Sequence, residues 1–278
     1  MRPMPDIHPV FREVPALAKA VVLAKLASGP ASDSWLVEDD GAHLIVRIDN
    51  PRARRLGLDR HAELEVLESV SSAAIGPDVI RADPAVGLLV TSFIPGAVWT
   101  REKIRDPASL EQLAMVLRRL HALPPVGPIF DPGKAALAYA QDIGTGSAFE
   151  LARKAAGLTD QLLTAGYHRA LCHNDLVYRN VIGSNPARLI DWEYAGVGDP
   201  FFDLAVVIRH HELPATLARG FIKAYFGSVD ATTWERLKAF CILYDLVSAL
   251  WYMSICNGHD DDSKYVAELD RVLSRMKD

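Results

Sequence analysis

The sequence predicts an α+β chain of two parts: a small N-terminal antiparallel sheet with one helix, then a larger and mostly helical lobe. Three observations carry the expectation. HLIVRID at His43–Asp49 alternates apolar and polar side chains, as a strand with one buried face does. Long segments after residue 200 have helical spacing instead. The 278 residues, half of them hydrophobic, suffice for a substantial core in two modest lobes rather than for tandem independent domains.

Taken in order, LASGPASDSWLVED reads as two strands around a turn at Gly29–Ser34. In HLIVRID, Leu44, Val46 and Ile48 point one way, and His43, Ile45 and Arg47 the other. LDRHAELEVLESV reads as a helix with Glu63, Leu67 and Val70 on one face. A carboxylate on an inward stripe wants a cation, and Arg47 is the partner expected for Glu63; the alternative is two ordinary surface charges. GLLVTSFIPG is an apolar strand running into a turn. From Pro107 to Leu123, the spacing of Leu113, Val116, Leu117 and Leu120 predicts a helix ended by Pro124 and Pro125. Residues 135–165 resume helical composition with a break near Gly144 and Gly146. Beyond residue 200, helices are expected over 202–211, 217–226, 233–257 and 263–276.

Between these helical stretches lies the chemistry. LCHNDLVYRN at Leu171–Asn180 places an Asp behind a His and five positions before an Asn. LIDWEYAGVGDPFFDLA at Leu189–Ala205 follows almost at once. Transfer of a γ-phosphoryl group to a hydroxyl needs the alcohol oriented, a metal held and the phosphate charge neutralised. Asp175 suits the first task, accepting the hydroxyl proton. Asn180 and Asp191 offer the hard oxygens that Mg²⁺ prefers. Two short apolar strands joined by the turn SNPAR would form a hairpin that brings Asp191 beside Asn180. A lone Asp or Asn in a loop is usually a turn former, but the joint spacing rarely arises that way. His173 is assigned to loop architecture. Asp199 before Pro200, with Asp203 in the first turn, reads as a helix start, so both acids brace structure.

HNDLVYRN, LIDWEYAG and DPFFDLA together resemble the choline and ethanolamine kinase branch of the aminoglycoside-phosphotransferase-like kinases, a group that also includes bacterial thiamine kinases. The close match covers about 35 residues, with a looser one from about residue 26 to 256. The resemblance implies a bilobal protein-kinase-like fold that uses ATP and Mg²⁺. It implies that Asp175 acts on the substrate hydroxyl, that Asn180 and Asp191 bind Mg²⁺, and that Glu193 lies near the metals or the cationic substrate. Residues 1–91 would form the nucleotide-binding lobe, 92–97 a hinge and 98–278 the catalytic and substrate-binding lobe, with the nucleotide in between. Within the first lobe, Arg47 would take the place of the phosphate-contacting Lys of protein kinases and pair with Glu63. Gly29, Ser32 and Ser34 would belong to a phosphate-covering turn, where the family often has Gly, Thr and Asn. Backbone groups of Ser92, Phe93 and Ile94 would bind adenine. DWE in place of the protein-kinase DFG points to a small-molecule substrate.

For that substrate, LYDLVSALWYMSI at Leu243–Ile255 puts Tyr244, Ser248 and Trp251 on one helix face and Asp245 and Tyr252 on an adjoining one. Aromatic faces beside acids attract an ammonium group through the ring quadrupole; the competing reading is ordinary aromatic core. Tyr194 and Trp234 are further candidates. The leading expectation is a kinase for choline or ethanolamine, then thiamine. An aminoglycoside phosphotransferase is the near alternative, and a catalytically silent nucleotide-binding protein the distant one. The net charge of −5, with no basic tract, disfavours nucleic acid as a partner. Cys172, Cys241 and Cys256 form no CxxC pair, which fits a reducing cytoplasm. No signal-peptide pattern and no segment long enough to span a bilayer are expected. Oligomeric state is left open.

Overall fold

A computed structural model describes residues 17, 20–53, 56–166, 168–183, 185–257 and 263–277. The chain divides into two compact units, the first ending at Pro95 and the second beginning at Gly96.

The first unit is a five-stranded antiparallel sheet with strand order β1-β2-β3-β5-β4 and one long helix. Its strands are β1 (Val21–Ser28), β2 (Ser32–Asp39), β3 (Ala42–Asp49), β4 (Val79–Asp83) and β5 (Leu88–Ser92). Asp40 and Gly41 join β2 to β3, both at positive φ, the conformation a two-residue hairpin turn requires. The register sets Trp35 opposite Val46 and Val46 opposite Val90. With Val37, Leu44, Ile48 and Leu88, these residues form one buried face. Each such side chain contributes about 1.5–3 kcal/mol on burial. Because strand side chains alternate, Arg47 projects from the opposite face, as the spacing of HLIVRID predicts. The helix α1 (Arg60–Ser72) starts at Asp59, whose carboxylate accepts from the His61 and Ala62 amides. It buries Glu63, Val66, Leu67 and Val70.

In the second unit, α2 (Pro107–His121) is capped by Asp106 and turns Leu110, Leu113, Leu117 and Leu120 inward. The expected break further on is real: α3 (Pro132–Ile143) ends at Gly144 in the left-handed region, and Thr145 caps α4 (Gly146–Thr164). Two small two-stranded sheets follow, pairing β6 (Ala170–Cys172) with β9 (Gly196–Gly198), and β7 (Val181–Ile182) with β8 (Arg188–Leu189). Then come α5 (Pro200–His210), α6 (Ala215–Phe226), α7 (Ala231–Cys256) and α8 (Ser263–Arg275).

One sequence expectation fails at α7. Its 26 residues are long and apolar enough to cross a bilayer by length and composition alone. Yet α7 packs against α3, α4, α5 and α8, and over half of its apolar stretch is buried among them. A core helix embraced on several sides reads as apolar all round for the same reason a membrane span does.

Candidate active site

The loop after β6 is held from below by Asp203, in the first turn of α5. This wholly buried carboxylate accepts from the backbone N–H of His173 (2.9 Å) and of Asn174 (2.7 Å). His121 Nε2–H donates to the same group (3.0 Å), with the Tyr225 hydroxyl on its Nδ1 (2.7 Å). His173 is fully buried against Trp192, ring centroids 4.6 Å apart. Its Nε2–H donates to the Ile190 carbonyl (3.0 Å), and its Nδ1 accepts the Asp175 amide (3.3 Å). Burial holds its pKa below the ordinary histidine value, so it stays neutral and ties the loop to the strand beside it. Asp199 caps α5 through the Phe201 amide (3.0 Å) and receives Arg236 (2.6 Å). His173, Asp199 and Asp203 thus sit where bracing residues would.

A 3-10 turn at Tyr178–Asn180 swings Asn180 back to Asp175. The Asn180 side-chain amide donates to both the Asp175 carbonyl (2.8 Å) and its Oδ2 (2.9 Å). That fixes the amide's orientation and turns Oδ1, the atom a metal would use, away from the carboxylate. The β7–β8 hairpin pairs Val181 with Leu189, and the Ile190 N–H donates to the Asn180 carbonyl (3.0 Å). Asp191 is the next residue, exposed and at φ +67°. A non-glycine residue in this sparsely populated region is a feature that clusters at functional sites. The neutral amide oxygen and the carboxylate are hard ligands of the kind Mg²⁺ takes, so the residues present fit that ion. Asp175 has its pKa raised from 3.8 to about 6, chiefly by burial, next by the Glu193 charge; the Asn180 hydrogen bond opposes the rise.

Asp175 also lines a cavity of about 240 Å³ within the second unit. Tyr194, Tyr244, Ser248, Trp251 and Tyr252 line it too, and Trp251 Nε1–H donates to the Tyr194 hydroxyl (3.0 Å). Glu193 does not line the cavity, but its charge acts on both Asp175 and Tyr194. Asp245, expected as the acid beside the rings, is turned elsewhere. It is bound by Arg209 (2.5 Å) and Arg275 (3.1 Å). Trp234 is likewise outside the cavity, with the Arg219 guanidinium 4.6 Å from its ring centre. The second acid at the cavity is Glu268 of α8, held by Arg101 (3.2 Å) and Arg271 (2.9 Å). Tyr139, Tyr178 and Tyr265 complete an aromatic wall that sequence reasoning missed. Burial lifts the phenols of Tyr139, Tyr194, Tyr244 and Tyr252 and keeps them neutral. His210, on the same wall, is held well below its ordinary value by burial, then by His211 and Arg101.

In the first unit, Arg47 and Glu63 meet as a bidentate pair, with contacts of 2.7 and 2.5 Å. The turn after β1 is shorter than expected. Gly29 N–H donates to the Ser32 carbonyl (2.8 Å), leaving only Pro30 and Ala31 as the loop. Ser32 and Ser34 belong to β2, opposite Asp49 and Arg47 of β3, because the strand register continues to the turn. The backbone groups expected to face adenine are partly committed as well. Ser92 N–H donates to the Asp78 carbonyl (2.9 Å), its hydroxyl accepts the Asp78 amide (3.0 Å), and Phe93 N–H donates to the His43 carbonyl (3.2 Å). Ile94, with a buried side chain, follows them.

A sheet unit with a buried guanidinium–carboxylate pair, joined to a helical unit whose His-Asp-Asn loop precedes a hairpin Asp, has the parts of a phosphotransferase with a protein-kinase-like fold. The chain belongs to the phosphotransferase enzyme family, whose model matches residues 22–240. Among curated relatives, Protein LicA of Haemophilus influenzae is 40% identical over 60 residues, 21% of this chain and 22% of that protein. A Protein LicA homolog of Metamycoplasma hominis is 31% identical over 110 residues, 38% of this chain and 41% of that one. The matches therefore span less than half the length of these relatives. Among solved structures, choline kinase LicA from Streptococcus pneumoniae aligns with a TM-score of 0.80 at 21% identity, covering 97% of this chain and 98% of that one. A choline/ethanolamine kinase family protein from Mesorhizobium loti aligns at 0.77 and 24% identity, covering 97% and 92%. These likenesses establish the shared fold.

Proposed function

We propose that this chain transfers the γ-phosphoryl group of ATP, with Mg²⁺, to the hydroxyl of a small cationic amino alcohol, choline or ethanolamine first and thiamine next. The observation that carries the reading is Asp175: a carboxylate with its pKa near 6, hydrogen-bonded to Asn180 and set in the wall of an aromatic cavity. There it accepts the hydroxyl proton as the oxygen attacks phosphorus. Asn180 and Asp191 would hold Mg²⁺, with Glu193 as a further acid for the ion or the cationic substrate. The bound ion supplies neutralisation of charge on the phosphoryl oxygens.

Arg47, fixed by Glu63, reaches the nucleotide phosphates, and the hinge amide for adenine is assigned to Ile94 rather than Ser92 or Phe93. The rings of Trp251, Tyr194, Tyr244 and Tyr252 surround the ammonium group, where a cation over an aromatic face gains about 0.5–2 kcal/mol. A cavity of this size suits a small amino alcohol better than a multi-ring aminoglycoside. The solved neighbours described as choline kinases agree with this choice of acceptor. A coupled ADP-release screen over choline, ethanolamine, thiamine, aminoglycosides and small sugars tests it. Turnover with the first group supports the assignment; turnover with aminoglycosides or sugars alone removes it.

A further inference from the structure

Arg47 and Glu63 are not an isolated pair. Arg60, the first residue of α1, donates Nη1–H to Glu63 Oε2 (2.9 Å). Its Nε and Nη2 meet the two oxygens of Asp49 at 2.9 and 2.6 Å. The result is a chain of alternating charge, Arg47–Glu63–Arg60–Asp49. The side chains of Arg47, Glu63 and Arg60 are no more than 10% exposed and that of Asp49 is 17% exposed. Burial alone works against the Glu63 charge, yet Arg47 and Arg60 together hold its pKa below the ordinary value.

The far end of the chain is built as closely as the near end. Gly87 sits at φ +68°, and a Cβ there would come within 2.5 Å of the Asp49 Cβ. The Asp49 N–H donates to the Gly87 carbonyl (3.0 Å). With Asp49 pinned, the planar fork of Arg60 has one orientation, and its remaining nitrogen fixes the Glu63 carboxylate that grips Arg47. Charge matters as much as geometry. The four groups sum to zero; without Arg60, one guanidinium would stand among two carboxylates, and a net negative group would face an anionic ligand.

We propose that Arg60 is a positioning residue for nucleotide binding, acting through Glu63 to aim Arg47 and cancelling the Asp49 charge. The inference rests on the reading of Arg47 as a phosphate contact. Titration calorimetry of the full chain with MgADP tests it without reference to the acceptor. Arg60→Gln raises the Kd about tenfold, the order expected for loss of one unit of charge one ion pair beyond Arg47. Adding Asp49→Asn to Arg60→Gln restores neutrality and recovers most of the affinity, which a merely structural role would not do. Arg60→Lys keeps the charge but not the fork; it weakens binding about threefold and carries the test if the glutamine variant does not fold. An unchanged Kd in Arg60→Gln, or in Arg60→Lys should the glutamine variant not fold, overturns the proposal, as does a double variant weaker than the single one. If Arg47→Ala also leaves the Kd unchanged, the reading of Arg47 fails; if only Arg47→Ala weakens binding, the role of Arg60 alone is lost.

Discussion

Lowering the pH should switch this protein off earlier than an ordinary aspartate would. With Asp175 as the proposed base, the competent form is the anion, so activity should be present above its pKa and lost as pH falls through it. With that pKa near 6, about nine-tenths of the Asp175 carboxyl is ionised at pH 7 and just under one-tenth at pH 5, and kcat/KM should fall about tenfold. At the unperturbed value of 3.8, the same change would cost under about one-tenth. The nucleotide's terminal phosphate also titrates on the acid side of neutrality, and a second perturbation separates the two. Glu193 is the second cause of the raised pKa, after burial. Glu193→Gln should therefore move the acid limb to lower pH, while leaving any limb that belongs to the nucleotide in place. A bound ammonium favours the carboxylate, so the limb in kcat should lie below that in kcat/KM. Initial rates of ADP release with choline, from pH 5 to 8 at fixed ionic strength, decide the matter. A profile flat down to pH 5, or a limb that ignores Glu193→Gln, would rule out Asp175 as the titrating base.

Further outcomes follow from single contacts. Trp251→Ala should raise the choline KM about tenfold through the lost ring face and leave the ATP KM near wild type; equal changes in both would dismiss the aromatic receptor. Asp191→Asn should raise the Mg²⁺ concentration for half-maximal rate at least about tenfold, since even outer-shell changes cost that much; an unchanged metal titration counts against its ligand role. Asp203→Asn puts one oxygen where three N–H groups converge. It should cost about 2–4 kcal/mol in urea unfolding, and an unaltered midpoint would show that the loop is braced from elsewhere.

Much of the first unit was legible because its information is periodic. Alternation in HLIVRID separated Arg47 from the apolar layer, and helical spacing put Glu63 on the face that meets it. The loop after β6 was legible by spacing, since the return of Asn180 to Asp175 is local. What was missed depends on which face of an element meets which neighbour. Asp245 and Tyr252 share one face of α7 by spacing, yet Tyr252 lines the cavity while Asp245 faces Arg209 and Arg275. Nothing in that helix alone distinguishes them. Glu268 and Tyr265, three apart on α8, were readable as one face, but their meeting with α7 is a tertiary contact. Ser32 and Ser34 look like turn residues by composition; strand register overrode that preference. The Ser92 and Phe93 N–H groups are committed to Asp78 and His43 through pairing between strands, which the local sequence does not show.

The claim beneath all of this is that Asp175 does chemistry rather than support the loop. The direct measurement pairs the turnover of Asp175→Asn with its MgADP affinity. The kcat should fall between about a hundredfold and ten-thousandfold, with the Kd within about twofold of wild type. Near-normal turnover, or loss of nucleotide binding together with loss of fold, would contradict it.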